Sequence, residues 1–343
     1  MSASINSEKF AKFFQDTLKK ACPVVEIPGR LHQVSVRYLE DVVKVLGIKT
    51  APKPELRNDT EKRAFQIKYG VTEGSFLYKL ENPEDMDHEL IAKVVHYLHK
   101  NKPMDKKAIL VFVPGWDSIT ALEYLLGEEY NDDNTYNGYY LGANAKILLL
   151  HSEIKISDQE LVHMEFPGQR KIIISTNIAE ASITIEDVAF VVDCGKAKVS
   201  KYDFLTKHSK LEPLWISQAN VKQRLGRAGR VQFGEYWALF TKVRFDLLDA
   251  YPEPDSKRRS LEETVLHVKC IIGNDKEPSL ATFFAKMMDP PHVNTVVNAI
   301  QLLQGLAALD SNQNLTSLGH MLEVLPVHPY WGKLCIAGKY QIV

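Results

Sequence analysis

Eight consecutive residues carry most of the information in this sequence: Gln223-Arg224-Leu225-Gly226-Arg227-Ala228-Gly229-Arg230. If the whole stretch is helical, at about 100° per residue, Gln223, Arg227 and Arg230 fall within roughly 60° of one another, whereas Arg224 points elsewhere. One amide and two guanidiniums on one face suit a phosphate chain, because a guanidinium pairs with phosphate oxygens bidentately and keeps its charge. A solvated basic helix, or one that touches nucleic acid, is the usual alternative for an isolated Arg-x-x-Arg pair.

The two glycines of this stretch, Gly226 and Gly229, are unfavourable inside a helix. Each costs about 1 kcal/mol relative to alanine. A sequence that keeps both of them indicates that another surface must come very close to the backbone here.

The bulk composition is that of an ordinary globular protein. The chain has 343 residues, of which 45% are hydrophobic and 25% charged, a length typical of two or three domains. Its net charge of −1 provides no global positive field, so any nucleic-acid binding must use a local patch. The four cysteines form no Cys-x-x-Cys pair, which argues against a zinc site and for reduced, buried thiols. With no apolar run long enough for a membrane span and no signal peptide, we expect a cytoplasmic or nuclear protein.

Apolar runs alternate with helical stripes along residues 87–193. Continuous apolar runs at residues 108–113, 146–150, 171–174 and 188–193 are typical of buried parallel strands, and residues 87–100 and 118–126 show helical periodicity. This alternation predicts an α/β domain whose parallel sheet binds ligands at the carboxyl ends of its strands. Small or polar residues follow these strands: Gly115, His151, Ser152, Thr176 and Asn177. Any one of them alone is more commonly a plain turn residue.

The eight-residue stretch resembles the last conserved motif of superfamily 2 helicases, in the form found in DEAH-box/RHA RNA helicases. Residues 175–185 (Ser-Thr-Asn-Ile-Ala-Glu-Ala-Ser-Ile-Thr-Ile) resemble the fifth motif of that family, with Ala181 in place of the usual threonine. Residues 1–6 are similar to its Ser-Ala-Thr motif, with Ser4 in place of threonine. Pro114-Gly115-Trp116 and Asp289-Pro290-Pro291 favour the RHA branch, close to the G-quadruplex-resolving RNA helicases.

The resemblance implies an α/β fold class, in which a RecA-like parallel-sheet domain precedes two helical domains. Residues 1–48 are expected to form the end of a first RecA-like domain and an interdomain segment, and residues 49–245 a second RecA-like domain. A winged helix is expected at residues 246–316, and the start of a helical ratchet-like domain, or a bare helix pair, at 317–343. Residues 49–74 are expected to be a linker or loop. Residues 194–214 are expected to form a β-hairpin, which in the family wedges into RNA and otherwise is a plain surface hairpin.

The resemblance also assigns catalytic roles to three residues of the eight. Gln223 would position the attacking water, while Arg227 and Arg230 would clamp the γ-phosphate of ATP from across a cleft between two RecA-like domains. A fixed cation stabilises the negative charge that accumulates on a transferring phosphoryl group. Mg²⁺ would be held mainly by the first of the two domains, so no metal ligand is assigned in this chain.

Binding roles follow for the other candidate residues. Thr184 and Glu186 would face the nucleotide ribose, and Lys196 would lie near the base, where many relatives have an aromatic residue. Five residues would lie along the RNA path: Gly115, His151, Ser152, Thr176 and Asn177.

Two motifs that such a motor requires do not occur in this sequence. There is no Gly-x-x-x-x-Gly-Lys-[Ser/Thr] and no Asp-Glu-x-His, so the chain alone is expected to be inactive towards ATP. The function we expect is the C-terminal RecA-like half of an ATP-dependent RNA helicase that moves 3′ to 5′, with RNA, ATP and its own first RecA-like domain as partners. The alternatives are a non-catalytic RNA-binding or adaptor module, against which the intact Gln223 and arginine pair argues, and a DNA-directed helicase.

Overall fold

The computed structural model describes residues 6–25, 27, 32–48, 86–102, 108–129, 138–181, 183–274 and 279–341. These residues form two compact units, one within Met1–Asn6, Val24–Val199 and Pro213–Pro252, the other within Ser7–Pro23, Ser200–Glu212 and Glu253–Val343. The motif expected at residues 1–6 lies outside the described residues except for Asn6, and the loop expected at residues 49–74 lies outside them altogether. In the described part of the chain no helix is both long and apolar enough to cross a membrane.

A parallel sheet forms the centre of the first unit. The strands are β1 (Val34–Arg37), β2 (Ala108–Phe112), β3 (Ala145–Leu150), β4 (Arg170–Ser175), β5 (Val188–Asp193), β6 (Lys196–Asp203), β7 (His208–Trp215) and β8 (Gly234–Ala238). Among the described residues, six strands form one sheet in the order β1-β8-β5-β2-β4-β3, and each neighbouring pair is parallel. Every apolar run that we expected to be a strand is one, and the α/β fold class is confirmed.

Helices follow most of these strands. They are α1 (Ser7–Leu18), α2 (Leu39–Val45), α3 (His88–Asn101), α4 (Trp116–Gly127), α5 (Ile156–Gln159), α6 (Ile178–Ala181), α7 (Gln218–Ala228), α8 (Lys242–Leu247), α9 (Asp255–Arg258), α10 (Glu262–Ile272), α11 (Leu280–Ala285), α12 (Val293–Gly305), α13 (Ser317–Val324) and α14 (Pro329–Gln341). The two helices predicted from periodicity between residues 87 and 126 correspond to α3 and α4. Both begin and end within two residues of the predicted limits.

Two apolar layers cover the two faces of the sheet. Because side chains alternate along a strand, Ile109 and Val111 of β2 face one layer, while Leu110 and Phe112 face the other. The first layer is completed by α3 and α4, and the second by α7. Every position of β2, β4 and β5 is buried, which is why these strands read as continuous apolar runs.

The strand β1 was not predicted, and it places residues 34–45 with the sheet. Val34 pairs with Gly234 and Arg37 with Trp237 at the sheet edge, and the N–H of Leu39 donates to the carbonyl of Phe240 at 3.1 Å. The sheet therefore begins before residue 49, where we expected its domain to start. The strand is short and half exposed, so it lacks the apolar run that reveals the central strands.

The hairpin expected at residues 194–214 is present as β6 and β7, which form a two-stranded sheet. Gly195 makes the turn from β5 into this hairpin with a φ of +74°. A side chain there would be strained by that conformation and would clash with the Phe240 ring, so the position requires glycine. Whether the hairpin contacts RNA stays a prediction.

The second unit has its own helical core. Helices α10, α11, α12 and α13 share it, with Val265, Phe284, Leu303 and Leu322 among the buried residues. Leu309 and Leu315 form an isolated antiparallel bridge within the residues where a winged helix is expected. The helix α13 contributes Leu322 to this core, although it follows the domain boundary expected at residue 316. That boundary stays a prediction.

The cysteines only partly follow the expectation of buried thiols. Cys194 is buried, and burial raises the pKa of its thiol to about 12, so it is an unreactive apolar residue. Cys22 and Cys270 are half-buried, and Cys335 is exposed. The expectation is wrong for Cys335, which lies on α14.

A buried ion cluster fixes α7 against the sheet. The Arg224 guanidinium is fully buried and donates to Glu180 Oε2 at 3.0 Å and to Asp193 Oδ1 at 2.7 Å. The Tyr236 hydroxyl donates to the other oxygen of Asp193 at 2.5 Å. Burial alone lowers the pKa of Arg224, but Asp193 and Glu180 outweigh that effect and raise it. The cluster therefore joins α6, β5, α7 and β8 through charged and polar groups that are almost completely buried.

Replacing Arg224 by methionine should destabilise the protein strongly. Removing one partner of a buried ion pair typically costs about 3–5 kcal/mol, because the remaining charge stays buried without compensation. Denaturant unfolding of Arg224→Met measures the loss of unfolding free energy. Lys222→Met is the matched control, since Lys222 is an exposed cation on the same helix. Equal stability of the two variants would contradict a structural role for Arg224.

Candidate functional site

The helix α7 carries the residues on which the functional hypothesis rests. It begins at a capping box, in which the Ser217 hydroxyl accepts from the N–H of Asn220 at 3.2 Å and the Asn220 amide oxygen accepts from the N–H of Ser217 at 3.2 Å. It ends at Ala228, with Gly229 as its C-cap. Our expectation that Arg230 shares a helical face with Gln223 and Arg227 is therefore wrong, because Arg230 lies beyond the end of the helix.

Gly229 explains why the helix stops and turns there. A Cβ at this position would lie 2.7 Å from the carbonyl oxygen of His32 and 2.7 Å from Val34 Cγ2. The N–H of His32 also donates to the carbonyl of Gly229 at 2.8 Å. The chain leading into β1 thus presses directly on the helix end, as the glycine predicted.

Gly226 does not show the same constraint. In the described part of the chain, nothing lies within 4 Å of a Cβ built at this position. The expectation that another surface comes close to the backbone is therefore confirmed at Gly229. At Gly226, no residue that the structure describes comes this close.

The Arg227 side chain is held against the backbone that follows β4. Its Nε donates to the Glu180 carbonyl at 3.0 Å and its Nη1 to the Ile183 carbonyl at 2.7 Å, and the residue is 5% exposed. Burial, and then the nearby charge of Arg230, lower the pKa of Arg227 to about 10. Arg227 therefore stays protonated at neutral pH in a position where its charge is incompletely compensated.

Arg230 lies close to this group and is half-buried. Its Nη1 donates to the Thr184 hydroxyl at 2.8 Å. Gln223, one turn before Arg227 on α7, is also half-buried. Among the residues that the structure describes, neither Arg227 nor Arg230 forms an ion pair with a carboxylate. Two neighbouring cations that lack such partners favour the binding of an anion, for example a phosphate group.

The structure brings the strand-end residues to one edge of the sheet. They follow β2, β4 and β3, which are neighbours in that order. Ser152 and Asn177 are exposed and His151 is half-buried, whereas Gly115 and Thr176 are buried. Side chains that reach water are therefore available at Ser152 and Asn177, and at Gly115 only the backbone contributes.

The remaining nucleotide candidates differ in accessibility. Thr184 and Glu186 are exposed, and Thr184 is in contact with Arg230. Lys196 is only 2% exposed, and its ammonium lies 4.8 Å from the centroid of the Trp215 ring. As placed, Lys196 does not offer its charge to a ligand, and its contact with a base stays a prediction.

Two residues of this site were missed by the sequence reasoning. Glu180 supplies both the carboxylate that Arg224 binds and the carbonyl that Arg227 binds. Asp193 closes β5 and binds Arg224 and Tyr236. Asp193 could have been found from the sequence, because an acidic residue at the end of an otherwise apolar strand requires a buried cation in the same domain.

Comparison with known proteins identifies the family. Residues 89–232 match the family described as helicase conserved C-terminal domain. Residues 299–327 match the helicase associated domain (HA2), winged-helix. The first match contains the eight-residue stretch near its end, and the second covers the second half of α12, the bridge between Leu309 and Leu315, and all of α13.

Relatives extend this likeness along nearly the whole chain. The ATP-dependent DNA/RNA helicase DHX36 of Rattus norvegicus is 35% identical over 98% of this chain and 34% of the relative. The DExH-box ATP-dependent RNA helicase DExH1 of Arabidopsis thaliana is also 35% identical, over 98% of this chain and 34% of the relative. The ATP-dependent RNA helicase DHX29 of Homo sapiens is 34% identical over 98% of this chain and 26% of its own length. The chain thus spans about a third or less of the length of these curated relatives.

Solved structures agree in fold. The Escherichia coli DEAH/RHA helicase HrpB matches 95% of this chain with a TM-score of 0.67 and 24% identity, over 34% of its own chain. A second structure, of the Escherichia coli DExH-box NTPase HrpB, matches 98% of this chain and 34% of its own with a TM-score of 0.65 and 23% identity. At these identities the likeness shows the fold alone, a RecA-like sheet domain followed by a helical winged-helix region. Taken together, the two family matches and the relatives show that the chain contains the conserved C-terminal domain and the HA2 winged-helix domain of DEAH/RHA-type superfamily 2 helicases.

Proposed function

We propose that this chain supplies the C-terminal RecA-like half of an ATP-dependent RNA helicase. The observation that carries the proposal is the pair formed by Arg227 and Arg230, two neighbouring guanidiniums without a carboxylate partner among the described residues. A module that only bound RNA would not need cations held at this depth. The curated relatives whose names state ATP-dependent helicase activity support the same function.

The donors in this group fit a phosphate chain better than a metal ion. Arg227, Arg230 and the amide of Gln223 all present N–H groups, which pair with phosphate oxygens and cannot ligate Mg²⁺. ATP supplies the phosphoryl group, and Mg²⁺ would be held by the first RecA-like domain of the full-length protein. In this chain the two arginines would stabilise the charge on that group, and Gln223 would orient the attacking water.

The contacts of the two arginines indicate what binding would change. Arg230 Nη1 donates a hydrogen bond to the Thr184 hydroxyl. A phosphate oxygen is a stronger acceptor than this hydroxyl, because the hydrogen bond then joins two opposite charges. Arg227 is fixed by two backbone carbonyls and would need little movement. Thr184 and Glu186 would then be free to face the ribose.

RNA would cross the sheet edge at Ser152, Thr176 and Asn177, beside His151 and the backbone of Gly115. Short polar groups at strand ends reach phosphate and sugar but not splayed bases. Motion would run 3′ to 5′ along one strand as the two RecA-like domains close and open. A DNA strand is the second candidate substrate, because backbone contacts distinguish the sugars only where a 2′-hydroxyl is bound, and the DHX36 relatives are named DNA/RNA helicases.

Loss of Arg227 or of Arg230 should strongly slow ATP hydrolysis by the full-length protein. We expect Arg227→Ala and Arg230→Ala each to slow turnover by about 10³–10⁵-fold while RNA affinity stays nearly unchanged. Because both would act on one phosphate, the double variant should be far less impaired than the product of the single effects. RNA-stimulated phosphate release measures the rate, and fluorescence anisotropy measures RNA binding.

Two controls keep that result interpretable. Lys222→Ala removes an exposed cation from the same helix and should leave turnover unchanged. Circular dichroism of Arg227→Ala checks folding, since Arg227 also holds two backbone carbonyls. Normal turnover combined with lost RNA binding in the arginine variants would support the non-catalytic, RNA-binding alternative.

The strand-end residues should bind RNA without regard to base sequence. We expect Asn177→Ala and Ser152→Ala to weaken binding of single-stranded homopolymers of each base by similar factors, because only the backbone is contacted. Asn101→Ala is the matched control, since Asn101 is exposed at the end of α3, which precedes the amino end of β2. A preference of about tenfold or more between homopolymers, removed by these substitutions, would show that they read bases.

A further inference from the structure

An aromatic pair joins two strand ends at the same edge of the sheet. Trp116 begins α4 directly after the Pro114-Gly115 turn that closes β2, and His151 follows β3. Their ring centroids are 5.4 Å apart. The two strands flank β4 in the sheet, so the pair spans the strand whose end carries Thr176 and Asn177.

The side chain of Trp116 is partly open to solvent at this edge of the sheet. Trp116 is 37% exposed, whereas Trp237 is 1% exposed. The Trp116 and His151 rings are tilted by 54°, so they do not stack face to face, and their contact does not cover a full face of the indole. The exposed part of the indole can therefore offer a ring surface to a ligand that crosses this edge.

Neighbouring contacts orient the His151 ring and tether the turn that carries Trp116. The Nδ1 of His151 accepts from the N–H of Glu153 at 3.2 Å, which sets the orientation of its ring. Asp117, next to Trp116, accepts from Lys198 Nζ at 2.8 Å. A Cβ at Gly115 would lie 2.8 Å from Lys198 Cδ, so the lysine stem packs directly on the turn before the indole. The aromatic pair thus lies on a turn against which the Lys198 side chain packs.

We propose that Trp116, supported by His151, stacks on one nucleobase of the single strand that crosses this sheet edge. The proposal rests on the function proposed above. It adds a base-stacking contact to a sheet edge whose other groups are suited to binding the RNA backbone. Such stacking requires no preference for a base sequence, because every base has a π-face. Lys198 lies close enough to this position to offset the negative charge of Asp117 towards an incoming phosphate.

The test uses the full-length protein and oligouridylates that each carry one abasic site at successive positions. Stacking on one base corresponds to a loss of about 5- to 150-fold in affinity when the aromatic residue is truncated. We expect Trp116→Ala to show that loss on the unmodified strand. At one position an abasic site should weaken binding by the wild type and have no further effect on Trp116→Ala. Trp116→Phe should keep most of the affinity, since it keeps a ring.

Tyr124→Ala is the matched control, because Tyr124 is on the same helix and is 36% exposed. It should respond to every abasic strand as the wild type does. A second readout is Trp fluorescence, whose quenching by oligouridylate should be smaller in Trp116→Phe than in the wild type.

Three outcomes would overturn the stacking proposal. Unchanged affinity of Trp116→Ala for the unmodified strand would do so. The proposal would also fail if Trp116→Ala lost affinity equally for every abasic strand, with no position at which the abasic site ceased to matter, because that pattern indicates a structural role. Both results leave the helicase proposal standing. If the wild type bound no single strand at all, the proposed function itself would fail, and the stacking contact with it.

Discussion

The structure depends above all on one buried bridge, from the Arg224 guanidinium to the carboxylates of Glu180 and Asp193. These three groups come from α7, from α6 and from the end of β5, and each is almost completely buried. An unpaired charge in the interior costs several kcal/mol or more, so the three pieces of chain must be brought together in one arrangement. The position of α7 relative to the strand ends is set by this requirement rather than by apolar packing alone.

The three arginines of the eight-residue stretch bind successive points of one segment. Arg224 binds the Glu180 carboxylate, Arg227 binds the carbonyls of Glu180 and Ile183, and Arg230 binds the Thr184 hydroxyl. Burial decreases along this series, from a fully buried to a half-buried guanidinium. Charge compensation decreases as well, from two carboxylates to neutral oxygens. The same stretch therefore fastens the helix at its inner end and leaves uncompensated positive charge at its outer end, which is the property an anion site needs.

The central strands could be predicted from the sequence because burial on both faces leaves continuous apolar runs. The edge strand β1 could not, because it is short and half exposed and is ordered mainly by its pairing with β8. Helical geometry also misplaced Arg230, since the contact of Gly229 with the chain before β1 ends α7 two residues earlier. The burial of Lys196 beneath Trp215 depends on how the hairpin folds back, which no local pattern records. The sequence alone could thus name candidate motif residues, whereas their contact partners required the tertiary structure.

The segment from Thr176 to Thr184 connects the two halves of the proposed site. Its first residues lie at the sheet edge assigned to RNA, and its last hydroxyl binds Arg230. Between them, the N–H of Glu180 donates to the Asn177 carbonyl at 3.0 Å, and the Glu180 carboxylate is held by Arg224. Arg224 therefore ties this segment to α7, so the position of the helix and the positions of the residues on both sides of Glu180 depend on the same ion pair.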